Sequence, residues 1–379
     1  MFMIDHFANQ QAAMLTMIER LVQIESPSDD RAALNRCADA LAAAFAPLGQ
    51  IERHASPLGG DQVSVHVPAP HAPADARPAL VLCHFDTVWP LGTLATRPFT
   101  VRGDLAYGPG AYDMKASFAL AWFAIQAIPA LGRTLPRPVH LLFTADEEIG
   151  SPAGRPVIEA AARQAAYTLV LEPPVEPHQA LKTARKSGGF FVIELLGRSA
   201  HAGVEPEKGA SAVSEMAHQI LALNALADAS LGSTVNVGVA QGGTRPNVVP
   251  AAARLEVDVR TWTSAEAERL THAIHGLTPV TPDVQIRVTG GFDRPPMERT
   301  PAAQALFAQA QQIGSQIGLH LTEDRTGGGS DGNFTAALGV PTLDGLGTPG
   351  AGAHAEHEHF QISGLFARTA LLTALLTEL

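Results

Sequence analysis

Three short apolar runs, each ending in a residue that can bind a metal or carry a proton, constrain this chain more than any other feature. Ala79-Leu-Val-Leu-Cys83 leads into His84, Val139-His-Leu-Leu-Phe-Thr144 into Ala145-Asp146-Glu147-Glu148, and Thr168-Leu-Val-Leu171 into Glu172. Runs of this length between turn residues read as strands buried on both faces. Helical patterns lie between them, over Met114–Ile128 and near residues 155–165. Alternation of this kind predicts an α/β fold around a doubly covered, mostly parallel sheet. Such sheets deliver their ligand-binding residues at the carboxyl ends of the strands. The pattern therefore predicts one polar edge carrying His84, Asp86, the acids at 146–148 and Glu172.

The chain has 379 residues, and a single hydrophobic core stops growing at roughly 250–300 residues, so two domains are expected. The texture changes near residue 185. Strand patterns at Phe190–Leu196, Thr234–Val239, Leu255–Arg260 and Val284–Val288 alternate with helical patterns at Ala210–Ala227 and Ser264–His275. Strand-helix-strand-strand-helix-strand is the order of a ferredoxin-like α+β unit. After about residue 300 the α/β pattern resumes. The reading is a domain of residues 185–294 inserted into a larger domain of residues 1–184 and 295–379.

Composition excludes several classes. A formal net charge of −11 argues against nucleic acid, whose phosphates call for a Lys/Arg surface. No stretch approaches the roughly 20 apolar residues of a membrane span, and no basic region followed by an apolar run opens the chain. The cytoplasm is the expected location. The two cysteines, Cys37 and Cys83, read as small buried hydrophobes and not as a disulfide.

Single residues admit bland readings. His84 and Asp86 are two apart and share a face on a continuing strand. His84 can ligate a metal while Asp86 orients an imidazole or base from behind, although a strand-end His bonded to an Asp also occurs as plain structure. Asp113, in Gly108-Pro-Gly-Ala-Tyr-Asp113-Met-Lys, suits a metal or a helix N-cap. Asp146, Glu147 and Glu148 can divide the labour of metal binding and proton transfer, or be a solvated loop. Gly352-Ala-His354-Ala-Glu-His357-Glu358-His359 offers three histidines among which spacing alone does not choose. Gly327–Gly329 with Ser330-Asp331-Gly332-Asn333 allows close backbone approach, but the Lys of a phosphate-binding loop is missing. Taken together, imidazoles and carboxylates in this mixture suit zinc, with cobalt or manganese as substitutes.

At this point a resemblance covers nearly the whole chain. His84-Phe-Asp86-Thr-Val, Gly110-Ala-Tyr-Asp113-Met-Lys, Asp146-Glu147-Glu148-Ile-Gly, Leu171-Glu172-Pro, Ser199-Ala-His201-Ala-Gly, Asn247-Val-Val-Pro and Gly328-Gly-Ser-Asp331 follow in order. In these the chain resembles the dizinc metallopeptidases that include glutamate carboxypeptidase, acetylornithine deacetylase, succinyl-diaminopimelate desuccinylase and aminoacylase. The motifs look most like the glutamate carboxypeptidase branch. The resemblance implies two Zn2+ per chain. His84 and Glu172 would hold one, Glu148 and His354 the other, and Asp113 would bridge them. It implies Asp86 as the residue that orients His84 and Glu147 as the general base. His201 would stabilise the oxyanion, and Asn247 with Arg294 would hold the substrate carboxylate, Arg260 being a second candidate. It also implies a homodimer in which the inserted domain pairs with its twin and acts as a lid, so that His201 serves the neighbouring subunit. The substrate would be a small N-acyl-amino acid or dipeptide with a free carboxylate. Two other readings stand beside this one: a two-zinc aminopeptidase or dipeptidase, and a non-catalytic small-molecule carrier on the same fold.

Overall fold

The computed structural model describes residues 2–379. The chain divides into two compact units. One holds Met1–Thr183, Arg299–Thr326 and Ser330–Leu379; the other holds Ala184–Glu298 with Gly327–Gly329.

The larger unit is built on a six-stranded sheet. Its strands run, in spatial order, Gln50–His54, Gln62–Val67, Val139–Thr144, Ala79–His84, Tyr167–Val170 and Thr342–Leu343. The last four are mutually parallel, whereas the two at the other edge pair antiparallel. The sheet is thus mixed, with a parallel centre. The apolar runs sit in that centre because they can be covered on both faces. Successive side chains alternate across a strand: Val81 and Cys83 join the core against the helices Gln11–Val22, Arg31–Phe45, Ala116–Ala130 and Ile362–Glu378. Leu80 and Leu82 face the other core, with Ile158 and Ala162 of the helix Gly154–Gln164. Both cysteines are buried and free. Among the described residues, no helix is long and apolar enough to cross a membrane.

A second, antiparallel sheet in this unit had no counterpart in the sequence reading. It joins Gly350–Ala351, His359–Gln361, Leu105–Tyr107 and Thr100–Arg102. Strands of two or three residues carry no readable period. This small sheet nevertheless fixes the chain on either side of the 352–358 loop against the strand that precedes the Gly110–Asp113 turn, with His359 paired to Tyr107 and Phe360 to Ala106.

The smaller unit is a four-stranded antiparallel sheet in the order Thr234–Gly242, Ala252–Arg260, Gly188–Leu196, Gln285–Arg294. With the helices Ala212–Asn224 and Ser264–His275 it has the strand order of a ferredoxin-like unit. Its core sits on one face. Phe191, Ile193 and Leu195 alternate with more exposed neighbours and pack with Leu255, Val257, Val259, Leu270 and Ile274. That alternation is what an antiparallel sheet covered on one side requires.

Candidate metal centre

The polar ends of the parallel strands converge. His84 is the last residue of its strand and is buried. Asp113 lies in the turn that enters the helix Ala116–Ala130. Glu148 follows the strand ending at Thr144, and Glu172 follows the strand ending at Val170. His354 comes from the 352–358 loop, with a left-handed backbone at φ +60. His84 Nε2 stands 3.1 Å from Asp113 Oδ1 and 3.4 Å from Glu172 Oε1. His354 Nε2 stands 3.6 Å from Asp113 Oδ2 and 3.1 Å from Glu148 Oε2. One carboxylate therefore belongs to two donor groups, His84-Asp113-Glu172 and Asp113-Glu148-His354.

These distances fit metal ions. Donors bonded at about 2.0–2.1 Å around a tetrahedral centre lie roughly 3.3 Å from one another, which is the spacing seen here. The electrostatics agree. Burial opposes a charge on His84, but hydrogen bonds to Asp113, Asp86 and Glu172 outweigh it and push the imidazole well above its ordinary range. Asp113 and Glu148 push His354 up to about 10. Burial would raise Asp113, yet the two histidines pull it far below the carboxylate range. Such a concentration of carboxylate charge around two imidazoles is a site for cations.

The remaining acids have separate tasks. Asp86 is fully buried, and its carboxylate accepts from Glu147 N and Glu148 N, each at 3.1 Å, and from Ser28 Oγ at 2.7 Å. It also lies 3.4 Å from His84 Nδ1, whose closer partner is the Asp86 carbonyl at 3.1 Å. Glu147 lies beside Glu148 but outside both donor groups. Asp146 turns elsewhere: its Oδ2 accepts from Ala153 N and Gly154 N, and burial pushes its carboxyl up to about 6. Asp331, in the glycine-rich motif, accepts from Thr144 Oγ1 at 2.7 Å and Ser151 Oγ at 2.5 Å. Asp331 thereby ties the strand end at Thr144 to Ser151. His357 and His359 are not in the donor groups, and His359 Nδ1 lies 2.8 Å from the His357 carbonyl.

Within the smaller unit, the segments of His201 and Asn247 are joined by backbone pairing. His201 bridges to Val248, and Ala202 N donates to the Asn247 carbonyl at 3.0 Å. The His201 ring is exposed, with Nδ1 accepting from Gly203 N. Arg294 is buried, and its Cδ lies where a Cβ on Gly329 would come within 2.5 Å. Arg260 donates three hydrogen bonds to the Asp258 carboxylate, at 2.8 to 3.1 Å.

With the geometry in hand, comparison with known proteins settles the lineage. Residues 80–378 match the family model described as peptidase family M20/M25/M40. The chain belongs to that family. Carboxypeptidase G2 from Pseudomonas sp. (strain RS-16) is 29% identical over 98% of this chain and 90% of its own length. Succinyl-diaminopimelate desuccinylase from Verminephrobacter eiseniae is 30% identical over 93% of each. Among solved structures, aminopeptidase PepT from Bacillus cereus matches with a TM-score of 0.78 at 21% identity, over 97% of this chain and 98% of that one. A dinuclear metal-binding peptidase of the family from Bacillus subtilis matches with a TM-score of 0.66 at 16% identity, over 98% of both. At these identities the structural matches speak for the fold. As a member of the M20 family the chain is a metallohydrolase, with a candidate site for the dinuclear centre such enzymes use.

Proposed function

We propose that this chain uses two zinc ions to hydrolyse the amide bond of a C-terminal amino acid, acting on small N-acyl-amino acids or dipeptides. The observation that carries the reading is Asp113, whose two oxygens face two different histidines, each with a carboxylate of its own. When bound, the ions supply Lewis-acid polarisation of the scissile carbonyl and a more acidic attacking water. His84 and Glu172 would hold one ion and Glu148 and His354 the other, with Asp113 common to both donor groups. Asp86 fixes the His84 ring and, through the N–H groups of Glu147 and Glu148, the turn that carries both glutamates. Glu147 takes the proton of the attacking water and returns it to the leaving amine nitrogen.

The smaller unit supplies the rest. His201 donates a hydrogen bond to the oxygen that becomes negative as the carbonyl is attacked. Asn247 and Arg294 hold the substrate carboxylate, with Arg260 as the second candidate. In this reading the smaller unit is also the dimerisation and lid domain of a cytoplasmic homodimer. The full-length likeness to a carboxypeptidase and to a desuccinylase supports a substrate with a free carboxylate.

The test is a panel of N-acyl-amino acids and dipeptides, each paired with its C-terminal amide. The acids should be cleaved and the amides should lose most of their kcat/KM. Equal efficiency on both overturns the carboxylate requirement, and cleavage of unblocked peptides together with their C-terminal amides, with every acylated substrate left intact, replaces this activity with an aminopeptidase.

A further inference from the structure

Three segments far apart in sequence each bring one member of the donor groups: residues 84–89 bring His84, residues 110–113 bring Asp113, and residues 354–358 bring His354. One buried carboxylate joins all three. Glu358, 1% exposed, accepts through Oε2 from Trp89 Nε1 at 2.7 Å and Gly110 N at 2.9 Å. Through Oε1 it accepts from Tyr112 N at 3.0 Å and Asp113 N at 3.1 Å. Four donors fill the lone-pair sites of an ionised carboxylate. We infer that Glu358 is the positioning residue that sets Asp113 between the two histidines.

The surroundings give the clamp its leverage. Gly110 has φ +69, and a Cβ there would lie 2.5 Å from Thr87 Cγ2, so the turn is pressed against the chain just beyond His84. Asp113 has an extended backbone, φ −114 and ψ 91, before the helix begins. Its N–H finds its acceptor in Glu358. On the far side, Glu358 N donates to the Ala355 carbonyl at 3.0 Å and closes the turn behind His354. The Arg97 guanidinium sits 4.1 Å from the centre of the Trp89 ring and donates to the same carbonyl at 3.4 Å. A shift of the Glu358 carboxylate is therefore felt by the Asp113 turn and the His354 loop together. Residues behind a ligand fix its orientation, and their loss commonly weakens metal binding by about 10–100-fold.

The glutamine variant separates this role from simple packing. Glu358→Gln keeps the volume but turns an NH2 toward two of the four donors, whichever way the amide faces. The Asp113 turn or the Trp89 side must open.

The inference rests on the dinuclear reading, so the wild-type protein is titrated first. Metal-free protein is titrated with Co2+ while visible absorption is followed, and thermal unfolding of the same metal-free samples is recorded. Wild type should take two ions per chain. Glu358→Gln should bind Co2+ about 10–100-fold more weakly with an altered absorption band, and Glu358→Asp, which keeps the charge but falls short of the turn, should lie between. A wild type that does not bind two ions overturns the dinuclear reading and this inference with it. A two-ion wild type whose glutamine variant has the same affinity and spectrum overturns the positioning role alone, even if its unfolding temperature drops. Should the glutamine variant not fold, Glu358→Asp decides: wild-type affinity and spectrum in that protein overturn the role.

Discussion

Replacing Asp86 by Asn tests whether one carboxylate holds both the His84 ring and the glutamate turn. The side chain is fully buried. Oδ1 accepts from Glu147 N at 3.1 Å and lies 3.4 Å from His84 Nδ1, while Oδ2 accepts from Glu148 N at 3.1 Å and Ser28 Oγ at 2.7 Å. An Asn amide presents one oxygen and one NH2. The Ser28 hydroxyl can rotate and accept, but a backbone N–H cannot. Whichever way the amide is turned, the NH2 therefore meets the N–H of Glu147 or of Glu148. One N–H left without an acceptor costs about 1–3 kcal/mol. Urea unfolding of metal-free wild type and Asp86→Asn should show that difference at unchanged slope. Because the orphaned N–H belongs to the turn carrying Glu148, Zn2+ affinity should also fall, by about 10–100-fold. A variant within about 0.5 kcal/mol of wild type, with unchanged Zn2+ binding, would refute the argument: the turn would then be held by something other than Asp86.

Three further outcomes follow from the same geometry. Glu147→Gln should retain both metals yet lose about 10²–10⁴ in kcat; near-normal turnover of metal-loaded protein removes Glu147 from the proton path. If His201 serves the neighbouring subunit, mixing inactive His201→Ala and Glu147→Gln proteins after subunit exchange should restore one working site in about half the dimers; demonstrated exchange without activity, or a monomer in solution, excludes the shared site. The third outcome concerns acid stability. Burial, reinforced by His66 and His54, holds His140 down to about 4. The unfolded chain protonates this ring near its ordinary value of about 6.5 while the folded chain does not. The stability it contributes is complete above that pH and is lost as pH falls toward 4, amounting to about 2 kcal/mol at pH 5. His140→Phe should therefore lose less stability than wild type between pH 7.5 and 5, and parallel losses in urea unfolding would dismiss the assignment.

The parallel centre of the large sheet was legible because its cause is local. A strand buried on both faces must be apolar throughout, so Ala79–Cys83 and Thr168–Leu171 announce themselves, and the first polar residue after each falls at the sheet edge. That rule puts His84 and Glu172 at the edge, while their roles come from the resemblance, since each alone also reads as plain structure. The edge strand Gln50–His54 was not legible in this way: it is half-exposed and mixes charged with apolar residues, as an antiparallel edge allows. The three acids at 146–148 show where residue type stops being informative. Residue type offers them as equals and only the resemblance separates them; in the structure only Glu148 enters a donor group, while Asp146 is consumed by the N–H groups of Ala153 and Gly154.

Contacts made across long stretches of chain were the least visible. Trp89 and Glu358 are 269 residues apart, and nothing in the period of either segment brings them together. What does so is the pairing of His359–Gln361 with Leu105–Tyr107, a strand pair too short to read. The resemblance marks Glu358 only as the acid four residues after His354, and nothing in sequence names its partners. His84 and Glu172, candidate ligands at the ends of strands that hydrophobicity specifies, lie where pattern points, whereas Asp113 and His354 sit in turns that pattern does not place. The residues that orient those ligands are specified by backbone N–H groups in need of an acceptor, and that need has no letter of its own in the sequence. Wherever a turn such as Gly110–Asp113 carries a functional side chain, the residue to look for next is therefore the one that accepts from the turn's own N–H groups, and here that residue is Glu358.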